Sequence, residues 1–453
     1  MKRLHFSTTQ VVMLGFAAAI LAGALLLMIP AATAPGEHTD FITALFTATS
    51  SICVTGLVVV DTFSHWSLFG QVIVLLLIQL GGFGVITLYS VVIMLMHRRF
   101  SLGTHKMIQD YYDLDSVFDL RGFLKRVVVD TLIVEGLGAV AYAFVFVPQF
   151  GLRGIWISLF NSVSAFCNAG MDVIGPDSLI PYRDNDAVNA ITCTLIIVSG
   201  IGYIVWFDVL DSIKRTRKNG LGVRGFFSRL SPHSRLAIVL TLFLLMSGTI
   251  LVFIFEYHNP DTIGTLSLWG KLRASFFQSV TFRTAGFATV PQASLTVPTS
   301  ITGCVYMFIG GSPVGTAGGV KTVTMFVAVL NSVSFIRSRD ETVVFSRRIT
   351  SEMKNKATAI ITVSFGFTML LYVLMLWICK TDPVAAAYEI FSATGTVGLS
   401  QGLTPSLDTA GRLIVIAGMY AGRIGPISMG LFFSTGKSSK NLISFADGNF
   451  KLG

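Results

Sequence analysis

Eight stretches of the chain are apolar over lengths that suit one kind of element. They lie at about residues 10–30, 69–96, 127–147, 188–210, 236–256, 300–336, 357–379 and 411–434. Crossing about 30 Å of hydrocarbon takes roughly 20 helical residues, so each is read as a membrane span. The sixth is interrupted by Gly310-Gly311-Ser312-Pro313-Val314-Gly315-Thr316-Ala317-Gly318-Gly319, five glycines and a proline in ten residues, through which no helix holds. The first follows Met1-Lys2-Arg3 and ends near Ala32-Thr33-Ala34, the outline of a cleavable signal. Its apolar run of about twenty residues is too long for a signal core and is kept as a span. The pattern predicts an all-α polytopic membrane protein.

The connections between spans one and two, three and four, five and six, and seven and eight repeat one theme. They read LFTATSSICVTGL from Leu45, LFNSVSAFCNAGM from Leu159, SFFQSVTFRTAGF from Ser275 and AYEIFSATGTVGL from Ala387. Their glycines, Gly56, Gly170, Gly286 and Gly398, stand 114, 116 and 112 residues apart. Ten residues before each stands Phe46, Phe160, Phe276 or Tyr388, and six before each a small or β-branched residue, Ser50, Ser164, Val280 or Ser392. Glycines that merely let helices pack closely require no such helix-then-loop segments.

Helix starts are marked by Asp40 and Asp382, each sixteen residues before its glycine, the latter followed by Pro383, and more weakly by Ser267. A helix of about ten residues cannot span, so each segment is expected to enter the membrane and stop near its middle. Its C-terminal dipole end and the carbonyls of the following loop then favour a cation. Irregular backbone at that depth requires surrounding protein or a water-filled cavity, which four converging loops provide. The expected organisation is four helix, pore-loop, helix repeats, eight transmembrane helices and four re-entrant pore helices, with repeat 1 at 1–100, repeat 2 at 101–218, repeat 3 at 219–340 and repeat 4 at 341–453.

Composition agrees: of 453 residues 53% are hydrophobic and 13% charged, too few charges for a soluble shell. Cys53, Cys167, Cys193, Cys304 and Cys379 are scattered, without metal-site spacing, and read as reduced thiols. The formal charge of +9 raises nucleic acid as a partner, but its distribution has another explanation. Of 33 Lys and Arg, 24 lie in the termini and the connections on one side and six on the other, so both termini are expected in the cytoplasm and no nucleic-acid partner is. Lys321, Arg412 and Arg423 fall in or beside spans, where charge usually marks function. The seven histidines map to loops or termini and no catalytic set converges, so the chain is not read as an enzyme. No phosphate-loop or dinucleotide fingerprint occurs, so nucleotide control would have to come from another chain.

These residues resemble the Trk/Ktr/HKT superfamily of potassium transporters, most closely the bacterial KtrB-type membrane subunit. The resemblance rests on Val54-Thr55-Gly56-Leu57 with Val59-Val60-Asp61-Thr62, Asn168-Ala169-Gly170, Arg283-Thr284-Ala285-Gly286-Phe287, and Gly395-Thr396-Val397-Gly398-Leu399 with Gly402-Leu403-Thr404-Pro405. It implies one pseudo-fourfold pore and potassium uptake across the bacterial cytoplasmic (inner) membrane. The implied potassium-binding filter comprises Cys53, Val54, Thr55, Gly56, Cys167, Asn168, Ala169, Gly170, Thr284, Ala285, Gly286, Thr396, Val397 and Gly398. Glycine in all four positions goes with potassium preference in this family, serine in the first with sodium. Cys53 and Cys167 stand where a hydroxyl or amide is more usual, and Phe282 where a proline is. Equivalent placement puts the two thiols near one another behind the filter, as packing groups.

The interrupted span resembles the family's gating loop, here Gly310, Gly311, Ser312, Gly315, Thr316, Gly318 and Gly319, with Lys321 and Arg423; a kinked helix or an interfacial loop is the other reading. Arg423 is read either as a barrier, bonding loop carbonyls and repelling cations, or as a clamp between repeats. Arg283 is expected to turn away from the ion and pair with an acid. The resemblance also implies a homodimer on a cytoplasmic nucleotide-binding ring of KtrA-type subunits. Lys214-Arg215-Thr216-Arg217-Lys218 would contact that ring or anchor in anionic lipid. A sodium/potassium-coupled secondary transporter with broken helices is the rival reading.

Overall fold

The computed structural model of the chain describes residues 8–84, 120–218, 223–338, 341–345 and 347–425. The later part of the span expected at 69–96, that of the span expected at 411–434, and residues at the repeat borders near 100, 219 and 340 lie outside the described residues. In chain order the main helices are α1 (Thr8–Leu27), α2 (Phe41–Ile52), α3 (Leu68–Phe83), α4 (Leu120–Phe150), α5 (Leu152–Cys167), α6 (Asp186–Ile201) and α7 (Tyr203–Lys218). They continue with α8 (Pro232–Glu256), α9 (Leu268–Thr281), α10 (Val297–Phe308), α11 (Thr322–Ile336), α12 (Ser351–Cys379), α13 (Pro383–Gly395) and α14 (Thr409–Ile424). A two-residue antiparallel ladder pairs Val343 with Arg348 and Val344 with Arg347 ahead of α12.

By length and composition α1, α4, α8 and α12 each suffice to cross a membrane. Their outer faces carry exposed large apolar side chains such as Leu25, Phe144, Phe243 and Trp377, while Thr49, Ser50, Ser51, Ser162, Ser164, Gln278 and Ser279 are buried on the short helices inside. This inverts the soluble arrangement and suits a lipid solvent. Each long helix is followed by a shorter one, α2, α5, α9 or α13. Asp40, Ser267 and Asp382 cap three of these by accepting the N–H groups of Thr43, Gly270, and Val384 with Ala385. The fourth, α5, starts from Gly151 without a side-chain cap.

Glu256, fully buried at the end of α8, accepts from the Thr262 hydroxyl (2.7 Å), the Asn259 amide (2.7 Å) and both the N–H (2.9 Å) and hydroxyl (2.8 Å) of Thr296. A buried carboxylate persists when its oxygens are satisfied in this way, and here it fastens the end of α8 to the start of α10.

One expectation is corrected. The span expected at 188–210 is two helices, α6 and α7, bent by 98°. The break falls at Gly202, φ 97°, where a Cβ would stand 2.4 Å from the Pro313 carbonyl oxygen, so only glycine admits the approach of that loop. Gly84 and Gly425 end α3 and α14 with similar backbone, φ 77° and 91°. These three glycines follow the loop glycines 56, 170 and 398 by 28, 32 and 27 residues. Glycines within apolar runs are common in membrane helices, so Gly84, Gly202 and Gly425 do not by themselves mark a break.

Candidate functional site

The loops that leave α2, α5, α9 and α13 share a backbone pattern. Val54, Asn168, Thr284 and Thr396, each two residues before its glycine, are left-handed with φ 54°, 60°, 67° and 52°. The glycines follow with φ 97°, 65°, 82° and 96°. Left-handed backbone is unfavourable for residues with a Cβ, so its recurrence on Val and Thr signals a conformation imposed by the surroundings.

The four glycines form a closed ring. A Cβ on Gly56 would lie 2.3 Å from the Ala169 carbonyl oxygen, on Gly170 2.6 Å from that of Ala285, on Gly286 2.7 Å from that of Val397, and on Gly398 2.2 Å from that of Thr55. Each glycine therefore abuts the carbonyl that precedes the next glycine, and the fourth returns to the first. Any side chain would displace backbone rather than a movable group.

The residues six before each glycine explain their recurrence. The hydroxyls of Ser50 and Ser392 accept the N–H groups of Gly56 (3.1 Å) and Gly398 (3.0 Å). Ser164 instead donates to the Met171 carbonyl (2.5 Å). Val280 has no hydroxyl, and the adjacent Thr281 donates to the Phe287 carbonyl (2.6 Å) in its place. The hydroxyls of Thr55, Thr284 and Thr396 are buried and have no hydrogen-bond partner among the described residues.

On one side of the ring lies a cavity of about 170 Å³ lined by all four glycines together with Asp61 and Asp172. Asp172 sits on the loop leaving the ring, outside the spanning helices. Burial pushes its carboxyl up to about 6, and the nearby Asp61 adds to the rise against hydrogen bonds from Ser178 and the Ile174 N–H.

Against the ring's loops lies the interrupted segment between α10 and α11. A Cβ on Gly318 would fall 1.9 Å from the Thr396 hydroxyl oxygen, and the Thr316 hydroxyl accepts from the Asn168 side-chain amide (3.1 Å) while donating to the Phe166 carbonyl (3.2 Å). The segment closes on itself through Gly310 N–H to Val320 O (2.9 Å) and Val320 N–H to Phe308 O (3.1 Å). The Lys321 ammonium donates to the Ala317 carbonyl (2.7 Å). Arg423 reaches across with two bonds of 2.6 Å, to the carbonyls of Thr316 and Gly81.

Comparison with known proteins follows the same outline. The family described as TrkH, cation transport protein, matches residues 7–444. The chain belongs to this family. It is 36% identical over its whole length to the Ktr system potassium uptake protein B of Bacillus subtilis, covering 98% of that protein. It is 34% identical to the potassium/sodium uptake protein NtpJ of Enterococcus hirae, over 93% of this chain and 92% of that one. The crystal structure of the potassium transporter TrkH from Vibrio parahaemolyticus shares the fold, with a TM-score of 0.74 at 17% identity over 96% of this chain and 86% of the other. The protein is thus a multi-pass membrane protein of a cation-transport family.

In this TrkH-family chain the residues named for the filter from sequence lie around the ring, buried except for the half-buried Gly170 and Gly398, and two side chains there stand out. Asn168 turns its amide toward the interrupted segment, its oxygen accepting from Ser199 (3.3 Å). Arg283 is buried, yet its Nε and Nη2 have no hydrogen-bond partner and no carboxylate lies within ion-pair distance among the described residues, so the expected acid partner is not found. Cys167 bonds the Glu135 carboxylate (3.7 Å), which also accepts from Gln79 (3.1 and 3.2 Å). Glu135 was missed by weighing only basic residues in the spans; an acid inside an apolar run carries the same signal. Glu389, visible in the fourth segment, braces the loop beyond Gly398 by accepting from Ser400 (2.7 Å) and Thr404.

Proposed function

We propose that the chain is the pore-forming subunit of a potassium uptake system in the bacterial cytoplasmic membrane. The observation that carries this reading is the closed ring of four left-handed glycines, each against a neighbouring loop's carbonyl. In it, repeats at 1–100, 101–218, 219–340 and 341–453 surround one pseudo-fourfold path, both termini are cytoplasmic, and the filter comprises residues 53–56, 167–170, 284–286 and 396–398. Four short helices direct their C-terminal ends at the ring, and backbone and threonine oxygens offer what a dehydrated cation needs. A buried hydroxyl without a partner is costly, and a cation in the path relieves that cost for Thr55, Thr284 and Thr396. The names of the relatives, potassium uptake and potassium/sodium uptake proteins, favour the same cargo.

In this reading residues 310–319 are the gate, fastened by Lys321 and Arg423, and the chain works as a homodimer on a nucleotide-binding ring. The test is flux of potassium, rubidium and sodium into liposomes holding the purified chain beside a Gly56→Ser variant. Saturable potassium and rubidium flux that loses its preference over sodium in the variant supports the filter. A sodium gradient that drives potassium uphill would favour coupled transport over a channel. Wild-type and Arg423→Ala proteins that are folded yet carry none of these ions would overturn the reading.

A further inference from the structure

A cavity of about 530 Å³ lies between α6, α8 and α9, and none of the ring glycines, the residues named for the filter or the interrupted segment lines it. Ala190 and Cys193 of α6, Thr249 of α8 and Phe276 of α9 wall its inner part, and Asp186, Trp269 and Arg273 its mouth. From Asp186 to Cys193, and from Trp269 to Phe276, each helix advances seven residues, so the cleft runs ~10 Å inward from the mouth. Ile250 of α8 and Leu272 of α9 are exposed apolar residues beside it, so it opens on the lipid-facing side. Printed contacts hold the mouth together: the Trp269 indole donates to Asp186 (3.3 Å), and Arg273 donates to Asp186 through Nη1 and to Asp184 through Nη2 (2.8 Å). Arg183 stands 3.6 Å from Asp184. The arginine side chains are tucked in, 12% and 28% exposed, whereas those of Asp184 and Asp186 are 66% and 68% exposed. A ligand arriving at the mouth therefore meets carboxylates, with an exposed tryptophan beside them of the kind that marks the headgroup level of a bilayer.

We propose that this cleft is a binding site for phosphatidylethanolamine, with part of one acyl chain between α6, α8 and α9 and the ammonium at Asp186 and Asp184. The volume is that of an ordinary ligand pocket. An apolar void forfeits dispersion contacts along every wall unless something fills it, and beside a bilayer the filler at hand is an acyl chain. The head is chosen by charge. An ammonium brings three N–H donors to carboxylates that already face outward, and such charge-assisted bonds are stronger than neutral ones. A head carrying only a phosphate meets like charge there. The site stands apart from the pore reading and does not rest on it.

The experiment counts lipid retained by the purified full chain in native mass spectrometry, titrated with phosphatidylethanolamine or phosphatidylglycerol. The expected result is severalfold preference for phosphatidylethanolamine, lost in the Asp184→Asn/Asp186→Asn double variant. Ala190→Trp, at an exposed position on the cleft wall, fills the cleft and lowers phosphatidylethanolamine retention severalfold with both carboxylates in place. All variants are compared at matched melting temperature. Equal retention of the two lipids, a preference for phosphatidylglycerol, or retention unchanged in Ala190→Trp overturns the proposal. The same spectra report oligomeric state: if Ala190→Trp splits a dimer while lipid retention stays as in the wild type, the cleft seats a second copy of the chain and the proposal falls.

Discussion

The side-chain amide of Asn168 donates to the Thr316 hydroxyl at 3.1 Å, joining the loop that carries one ring glycine to the interrupted segment between α10 and α11. The contact matters because Thr316 also offers its carbonyl to Arg423 at 2.6 Å. The loop that carries Gly170, the interrupted segment and α14 thus meet at one threonine, so a change in any of the three reaches the other two.

Arg423→Ala removes both 2.6 Å bonds, to Thr316 and Gly81, together with the charge beside the path. On the barrier reading, initial potassium flux into liposomes rises severalfold. Arg423→Lys keeps the charge but lacks the planar fork that spans two carbonyls, so its flux falls between the two. Unchanged flux in folded Arg423→Ala protein would leave only the clamp.

Substitutions in the ring should be graded by the space they lack. Alanine at Gly398 or Gly56 brings its Cβ 2.2 or 2.3 Å from a carbonyl oxygen, against 2.7 Å at Gly286. Each also carries about 1–2 kcal/mol of left-handed backbone strain. Rubidium uptake is expected to fall at least tenfold at Gly398 and Gly56 and less at Gly286, measured on protein of matched melting temperature. Equal losses at all three sites would mean that the carbonyl approach does not govern the ion path.

Ser50→Ala and Ser392→Ala each strip the acceptor from a ring glycine's N–H. At Gly56, where the bond is buried, leaving the donor unmet costs about 1–3 kcal/mol, and less at the half-buried Gly398. Both variants should lose potassium-over-sodium preference more than total flux, whereas Val280→Ala, where no such bond exists, should keep its preference. Cation competition assays on the three variants separate the cases.

Much of this was legible in the amino-acid order. Gly56, Gly170, Gly286 and Gly398 stood out because backbone approach admits no other residue, so position and identity are tied. Asp40, Ser267 and Asp382 announced helix starts through local hydrogen bonding alone. The bend at Gly202 was not legible, because its cause is Pro313, more than a hundred residues away, and the glycine looks like any other in a membrane helix. The same holds for the turn of Asn168 toward Thr316, and for Arg283, whose Nε and Nη2 have no hydrogen-bond partner among the described residues.

The Asp172 carboxyl, raised to about 6 by burial, sets an expected pH dependence for uptake. Above 6 the group is ionised and the cavity beside the ring is negative; as pH falls through 6 it takes up a proton and the attraction for cations weakens. The apparent affinity for potassium is expected to drop about three- to tenfold between pH 7.5 and 5. In Asp172→Asn the affinity is low throughout and that step is absent, which a pH series of initial uptake rates will reveal.

The bend at Gly202 leaves backbone groups that α6 and α7 cannot satisfy themselves. The Tyr203 N–H is given to the Val314 carbonyl (3.0 Å), and the Gly200 carbonyl accepts the N–H of Ser312 (2.9 Å). The two interruptions therefore complete each other, as two strands of a sheet would. Neither can open without stranding polar groups on its neighbour, so they form one cooperative unit, and their amides should exchange with solvent at a common rate. A displacement of residues 310–319 would accordingly pull on the start of α7 through the Tyr203–Val314 bond.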